Sequence, residues 1–176
     1  IYGGLIFVES SPRAVNEEQA RKVIAAAPLS YVGVFRNADI NDVAAKADAL
    51  SLSAVQLHGD EDQTYIDALR HVLAPQVQIW KAQSVGAILP ARNLTHVDKY
   101  VLDNGQGGTG QRFDWSLLRG EVLDNVLLAG GLSPDNCVEA AKTGCAGLDF
   151  NSGVESQPGI KDASKLASVF KTLRAY

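Results

Sequence analysis

Seven short apolar runs punctuate this chain, and they limit its fold more than any other feature. They are "IYGGLIFV" from Ile1, "YVGVF" from Tyr31, "AVQLH" from Ala54, "VQIWKA" from Val77, "YVLD" from Tyr100, "VLLAGG" from Val126 and "GLDF" from Gly147. Each reads as a strand buried on both faces, as in a parallel sheet. Helix signals lie between them. Asn16 with Gln19 forms a capping-box entry to a helix expected to bury Ala20, Val23, Ile24 and Ala27. Asp39 precedes Ile40, Val43, Ala44, Ala47 and Leu50, which share one face at 3.6 residues per turn. Ser133 reads as an N-cap with Pro134 at the first helical position. A strand–helix–strand repeat implies a parallel sheet, either open and doubly wound or closed as a barrel. Successive runs start between 21 residues (Val126 to Gly147) and 30 residues (Ile1 to Tyr31) apart, with no long crossover to reverse direction. The expected fold is therefore α/β, a member of the (β/α)8 TIM barrel family, with residues 1–176 as a single domain of seven strand-helix units.

An eight-stranded barrel needs at least about 200 residues, so the chain is expected to be one unit short. The C-terminal end carries its helix, with Leu166, Val169, Phe170 and Leu173 on one stripe. The N-terminal end opens inside an apolar strand, so the expected missing unit is the first. The chain has no Met, so Ile1 is not an unprocessed start, and the sequence is expected to be a piece of something longer. The net charge is −4 and the basic residues are scattered rather than clustered, which argues against nucleic acid or a membrane surface and for a small-molecule partner. Cys137 and Cys145 are too few for a disulfide framework, which fits a reducing cytoplasm. No apolar run approaches the roughly 20 residues that span a bilayer. No His, Cys and carboxylate cluster has metal-ligand spacing, so no metal is expected.

Barrel chemistry sits at the C-terminal ends of the strands, and phosphate commonly binds at the loops after strands seven and eight. With the first unit absent, those loops are "AGGLSPDN" and "FNSGVESQPGIKD". In them Gly130 and Gly131 let the backbone approach a ligand, and Ser152 and Gly153 open a segment able to make one helical turn facing an anion. Asp103 closes the sixth strand at the same mouth. A strand-end Asp often only anchors its loop. Here the glycines that follow, Gly105, Gly107, Gly108 and Gly110, suit a loop that folds over a ligand and sheds water from an acid. Arg13, in "ESSPRAV", is the one cation of its loop and suits a two-point contact with a carboxylate; otherwise it is a solvated arginine. Trp80 and Trp115 are expected in core or rim packing.

Together "IYGGLIFVESSPR", "VGVFRN", "AVQLHG", "YVLDNGQGGTGQRFDW", "LLAGGLSPDN" and "LDFNSGVESQPGIKD" resemble phosphoribosylanthranilate isomerase of tryptophan biosynthesis, over the whole chain and in order. The resemblance implies an Amadori rearrangement of a phosphoribosyl aminoaldose to the aminoketose, with no cofactor. An acid opens the furanose ring, and a base removes the C2′ proton. The family's acid maps to Asp103. Its base, a Cys in a "KxCG" motif on the first strand, has no counterpart here, and neither Cys137 nor Cys145 corresponds to it. Arg13 matches the position that faces the anthranilate carboxylate. His58, closing "QLHG", also matches, with a structural hydrogen-bonding role expected. In some bacteria this isomerase follows an indole-3-glycerol phosphate synthase in one polypeptide, so the implied partners are a fused synthase domain and the missing first strand-helix segment. Two other readings stand beside this one. The related isomerisation of a bis-phosphorylated histidine-pathway aminoaldose predicts a second phosphate loop, which "FRNADIN" and "HGDEDQ" do not resemble. A catalytically inactive phosphate-binding barrel fragment predicts binding without turnover.

Overall fold

The computed structural model describes residues 1–105 and 112–175. The chain forms two compact units: Ile1–Ala82 with Asn93–Asp98, and Gln83–Arg92 with Lys99–Tyr176.

The first unit contains β1 (Tyr2–Ile6), α1 (Glu17–Ala26), β2 (Ser30–Phe35), α2 (Ile40–Ala49), β3 (Ala54–Leu57), α3 (Gln63–Val72) and most of β4 (Gln78–Ser84). The four strands lie side by side in chain order, each parallel to the next. Register follows composition: Val55 pairs with Gly33 and Ile79, and Leu57 with Phe35 and Lys81. The core forms where Leu5, Phe35, Val55, Leu57 and Ile79 meet Ala20, Val43, Ala47, Ile66 and Leu69 from the helices. Burying each such side chain contributes roughly 1.5–3 kcal/mol.

The expected helix entries in this unit form. Asn16 Oδ1 accepts the Gln19 N–H at 2.9 Å while Gln19 Oε1 accepts the Asn16 N–H at 2.9 Å, a reciprocal cap that satisfies donors with no partner inside the helix. Asp39 caps α2 by accepting the Asn41 N–H. Of the face expected for α1, Ala20 is buried but Val23 is 44% exposed. The C-terminal end of α3 is satisfied from within: Arg70 donates to the carbonyls of Leu73, Ala74 and Val77, placing a cation at the negative end of the helix dipole.

The second unit contains β5 (Lys99–Asp103), a 3-10 turn at Trp115–Leu118, β6 (Val126–Leu128), α4 (Cys137–Ala141), β7 (Gly147–Leu148), a second 3-10 turn at Ser152–Val154, the hairpin β8 (Glu155–Gln157) and β9 (Ile160–Lys161), and α5 (Ala163–Ala175). Strands β5, β6 and β7 are parallel and in chain order. Leu102, Val126, Leu128 and Leu132 form its core with Trp115, Leu118 and Ala140.

All seven expected strands are present, but the repeat of strand and helix is not uniform. The segment from β4 to β5 carries no helix, and among the described residues the connection from β5 to β6 carries only the 3-10 turn. Both segments lack an apolar stripe long enough to stabilise a helix by burial: "VGAILPARNLTHVD" is interrupted by Pro90, and "FDWSLLRG" ends at Gly120. The helix expected from Ser133 starts later, at Cys137. Ser133 does accept the Asp135 N–H on its Oγ at 3.3 Å, and Asn136 closes the turn around it. Its Oδ1 accepts the Ser133 N–H and its Nδ2 donates to the Gly131 carbonyl, so residues 133–136 close as a turn before the helix begins. The hairpin β8–β9 is an element the apolar runs did not signal, because its strands are short and mostly exposed.

Candidate functional site

In the second unit, β5 carries Leu102 into the core, so the alternation of side chains along the strand puts Asp103 on the opposite face. Asp103 is half-buried. Its Oδ1 accepts the Gly105 N–H at 2.5 Å and its carbonyl accepts the Val85 N–H at 2.7 Å. The loop-anchoring use of this carboxylate is thus present in the structure, and it fixes the side chain at the strand end. Gly105 itself adopts φ +77°. Gly107, Gly108 and Gly110, expected in the covering loop, lie outside the described residues.

The loops after β6 and β7 meet. Gly130 and Gly131 adopt φ of +83° and +67°, the left-handed region where a side chain is strained. The chain then passes Leu132, whose carbonyl is seated so closely under Gly153 that a Cβ there would collide with it. Beyond that contact Ser152–Val154 makes the single helical turn expected at this place. Four residues singled out in the sequence, Gly130, Gly131, Ser152 and Gly153, thereby come together as two backbone loops in mutual contact. The leading N–H groups of such a turn have no partner within it, and they suit an oxyanion.

The hairpin after this turn holds residues that the sequence reading missed. Glu155, with a side chain 4% exposed, receives Lys161 Nζ at 2.8 Å, and the same ammonium donates to the Asn151 carbonyl at 3.0 Å and to Asn151 Oδ1 at 2.7 Å. Lys165 Nζ donates to the Glu155 carbonyl.

In the first unit, Arg13 is half-buried in the turn after β1. That turn is tied down by the Arg13 N–H to Ser11 Oγ, by the Val15 N–H to the Ile6 carbonyl and by a bridge between Ile6 and Ala14. His58 is exposed at the end of β3, and its backbone N–H donates to the Phe35 carbonyl. Between the ends of β2, β3 and β4 lies a second ion pair absent from the sequence reading, and both of its members are buried. Glu61 accepts the N–H groups of Asn37 and Gly59 at 2.7 and 2.9 Å and Lys81 Nζ at 2.8 Å. Lys81 Nζ also donates to the Gly59 carbonyl at 2.7 Å. Burial acts to raise the pKa of Glu61, but the hydrogen bonds from Lys81 and Asn37 and the charge of Lys81 outweigh it and hold the carboxyl below its ordinary value. The signal for this pair was available: a Glu two residues beyond a strand-end His-Gly, and a Lys inside the apolar run "VQIWKA".

Neither thiol is fully exposed. Cys137 is buried, donating to the Pro134 carbonyl, and Cys145 is half-buried, its pKa pushed up by burial. A thiol so perturbed is less ionised at neutral pH. Trp80 is buried with its ring edge-on to Tyr2, and Trp115 is buried under the Arg112 guanidinium, both as packing residues. Among the described residues no three His, Cys, Asp or Glu side chains converge as metal ligands, and no helix is long and apolar enough to cross a membrane. Two open surface clefts, one beside Trp115 and Lys142 and one beside Leu89 and Arg92, include none of the site residues. Their lining supplies no chemistry that outweighs the strand ends.

Comparison with known proteins follows the same line. The family profile described as N-(5'phosphoribosyl)anthranilate (PRA) isomerase matches residues 1–172. The chain is 75% identical over 176 residues to "Tryptophan biosynthesis protein TrpCF" of Salmonella typhi, a match covering 100% of this chain and 39% of that protein. The chain thus spans about two-fifths of the length of that relative. A crystal structure of phosphoribosyl anthranilate isomerase from Thermus thermophilus superposes with a TM-score of 0.85 at 29% identity, covering 99% of this chain and 88% of that one. Another isomerase of this type was solved in complex with reduced 1-(o-carboxyphenylamino)-1-deoxyribulose 5-phosphate. It has a TM-score of 0.79 at 28% identity and covers 99% of this chain and 88% of its own.

Proposed function

Because the chain belongs to the PRA isomerase family, whose fold is of the TIM-barrel type, we propose that it carries out the Amadori rearrangement of N-(5-phosphoribosyl)anthranilate to 1-(2-carboxyphenylamino)-1-deoxyribulose 5-phosphate in tryptophan biosynthesis. The observation that carries this reading is the arrangement of the second unit: a carboxylate at the end of one strand, followed by two glycine-bearing loops in backbone contact at the ends of the next two. Asp103 serves as the general acid. It protonates the furanose ring oxygen, the C1′–O bond breaks, and the nitrogen lone pair moves in to give the open-chain iminium. Loss of the C2′ proton to a base then gives an enamine that tautomerises to the ketone. The backbone at Gly130, Gly131, Ser152 and Gly153 holds the phosphate, and Arg13 holds the anthranilate carboxylate by charge-assisted hydrogen bonds. The reaction moves protons and no net electrons, so the proposal includes no cofactor.

The base is the finer part of the proposal. Cys137 is buried and Cys145 is made less acidic by burial, so on this reading the base is a thiolate supplied by a first strand-helix segment outside these 176 residues. What supports a place for that segment is that β1 and β7 each have one strand neighbour among the described strands, and that Tyr2 of β1 is 48% exposed. Residues 1–176 would then be one isomerase domain, working in the cytoplasm beside a fused indole-3-glycerol phosphate synthase. The second reading, a phosphate-binding fragment with no turnover of its own, is favoured by the same placement of the thiols.

Turnover of freshly generated phosphoribosylanthranilate separates the two. The purified chain is assayed alone and with a peptide carrying a "KVCGLT"-like first strand. Turnover only with the peptide supports a base supplied from outside. Turnover without it defeats the missing-base argument, and Cys137, Cys145 and His58 are then tested by substitution. Phosphate binding with no turnover in either case favours the inactive fragment.

A further inference from the structure

We infer that Lys161 and Glu155 form a clamp that sets the phosphate loop in its binding shape, with Lys161 a positioning residue rather than a direct ligand of the phosphate; this rests on the phosphate-loop reading above. An ammonium has three protons to donate. All three have acceptors within the protein: the Asn151 carbonyl at 3.0 Å, Asn151 Oδ1 at 2.7 Å and Glu155 Oε1 at 2.8 Å. No donor remains for a bound oxyanion unless one of these bonds breaks. Glu155 is the fixed end, since its side chain is 4% exposed while that of Lys161 is 41% exposed.

The geometry gives the clamp a purpose. Asn151 immediately precedes Ser152 and Gly153, and Glu155 follows Val154, so the two residues gripped by Lys161 bracket the turn on both sides. Lys165 holds the same segment from α5 through the Glu155 carbonyl at 2.7 Å, and the Asp162 N–H donates to the Val154 carbonyl at 2.8 Å. On the other side Gly153 is pressed against the Leu132 carbonyl. The turn is held between one packed carbonyl and one ammonium. Oriented backbone donors bind an anion well only when they already point to a common centre, because any freedom they retain is lost on binding.

A direct ligand and a positioning clamp respond oppositely to loss of the Glu155 charge. If Lys161 bound phosphate itself, Glu155→Gln would free its charge and tighten phosphate binding. If it positions the loop, the same change loosens the clamp and weakens binding. The test uses the full-length protein that carries this sequence, and reads the competitive inhibition constant of inorganic phosphate together with KM and kcat for phosphoribosylanthranilate. For Lys161→Met we expect both the phosphate constant and KM to rise about tenfold with kcat within about twofold, the scale of losing charge-assisted hydrogen bonds. Lys161→Arg should recover part of that rise by restoring a cationic donor. For Glu155→Gln both constants should rise about three- to tenfold. Asn151→Ala removes a single exposed acceptor, leaves the Glu155–Lys161 pair intact and should still raise both constants about two- to threefold, so the clamp stays testable if Lys161→Met does not fold. Tighter or unchanged phosphate binding in Glu155→Gln overturns the clamp while leaving the phosphate loops in place. A parent enzyme that inorganic phosphate does not inhibit overturns the phosphate-loop reading, and the clamp with it.

Discussion

Replacing Glu61 by Gln removes one charge from a buried pair without changing its volume, and the structure gives the size of the effect. The two groups are 2.8 Å apart, with side chains 7% (Lys81) and 1% (Glu61) exposed. At an effective dielectric constant near 20 their attraction is about 6 kcal/mol, which the cost of desolvating both groups largely offsets. Losing the opposite charge is not offset, because Lys81 then keeps a buried charge against neutral acceptors alone, among them the carbonyls of Gly59 and Leu57. We therefore expect Glu61→Gln and Lys81→Met each to lower stability by about 3–5 kcal/mol, and the double variant to lose less than their sum by roughly 2 kcal/mol. The assay is urea unfolding followed by far-UV circular dichroism for the parent and the three variants, repeated from pH 7 to pH 3.5. The sign in pH follows from the depressed pKa of Glu61. Its contribution is fully present above the ordinary glutamate value and is lost as pH falls through the lower value in the folded protein, so the parent should lose part of its advantage over Glu61→Gln in the acid range. Losses that add to within about 0.5 kcal/mol, or an advantage independent of pH, would refute a coupled, ionised pair.

Asp103→Asn keeps an acceptor for the Gly105 N–H but cannot donate a carboxyl proton. In the full-length protein, kcat should fall about a hundredfold or more while circular dichroism is unchanged. Gly153→Ala forces its Cβ into the Leu132 carbonyl, and equilibrium titration should show phosphate affinity reduced at least about tenfold, the penalty expected when a packed backbone must move. Asn16→Ala removes one half of the α1 capping box and should cost about 1 kcal/mol in urea unfolding. Cys145, its thiol pKa raised mainly by burial, should react with a disulfide reagent slowly at pH 7.5 and faster as pH rises; equal rates across pH 7.5–9.5 would contradict that shift.

Strands were legible because short apolar runs mark them, and all seven runs became strands, although β1 and β7 are only partly buried. The caps at Asn16 and Asp39 were legible for a similarly local reason, since an N-cap needs only a side chain and the next few backbone groups. At Ser133 the cap was legible but the helix start was not: Ser133 Oγ accepts the Asp135 N–H, while Asn136 takes the Ser133 N–H and donates to the Gly131 carbonyl, so the chain makes a turn before the helix begins. The pairs Glu61–Lys81 and Glu155–Lys161 span 20 and 6 residues of sequence, and a Glu after a His-Gly or a Lys inside an apolar run does not by itself say which partner the fold will bring to it. Gly130, Gly131 and Gly153 were noticed for their backbone freedom. Their actual requirement is sharper at Gly153, where the limit is the room left by another loop's carbonyl.

The positions of the two tryptophans have an optical consequence. Trp80 sits in the first compact unit, 5.0 Å from the Tyr2 ring, and Trp115 in the second, 4.9 Å from the Arg112 guanidinium. Each unit therefore contains its own intrinsic fluorophore, in a different local field. Replacing either tryptophan by phenylalanine leaves a chain whose emission reports on one unit alone, and the pair of single-tryptophan chains gives two melting curves from one protein. Curves that coincide mark the two units as one cooperative block, and curves that separate reveal which half of the fold lets go first.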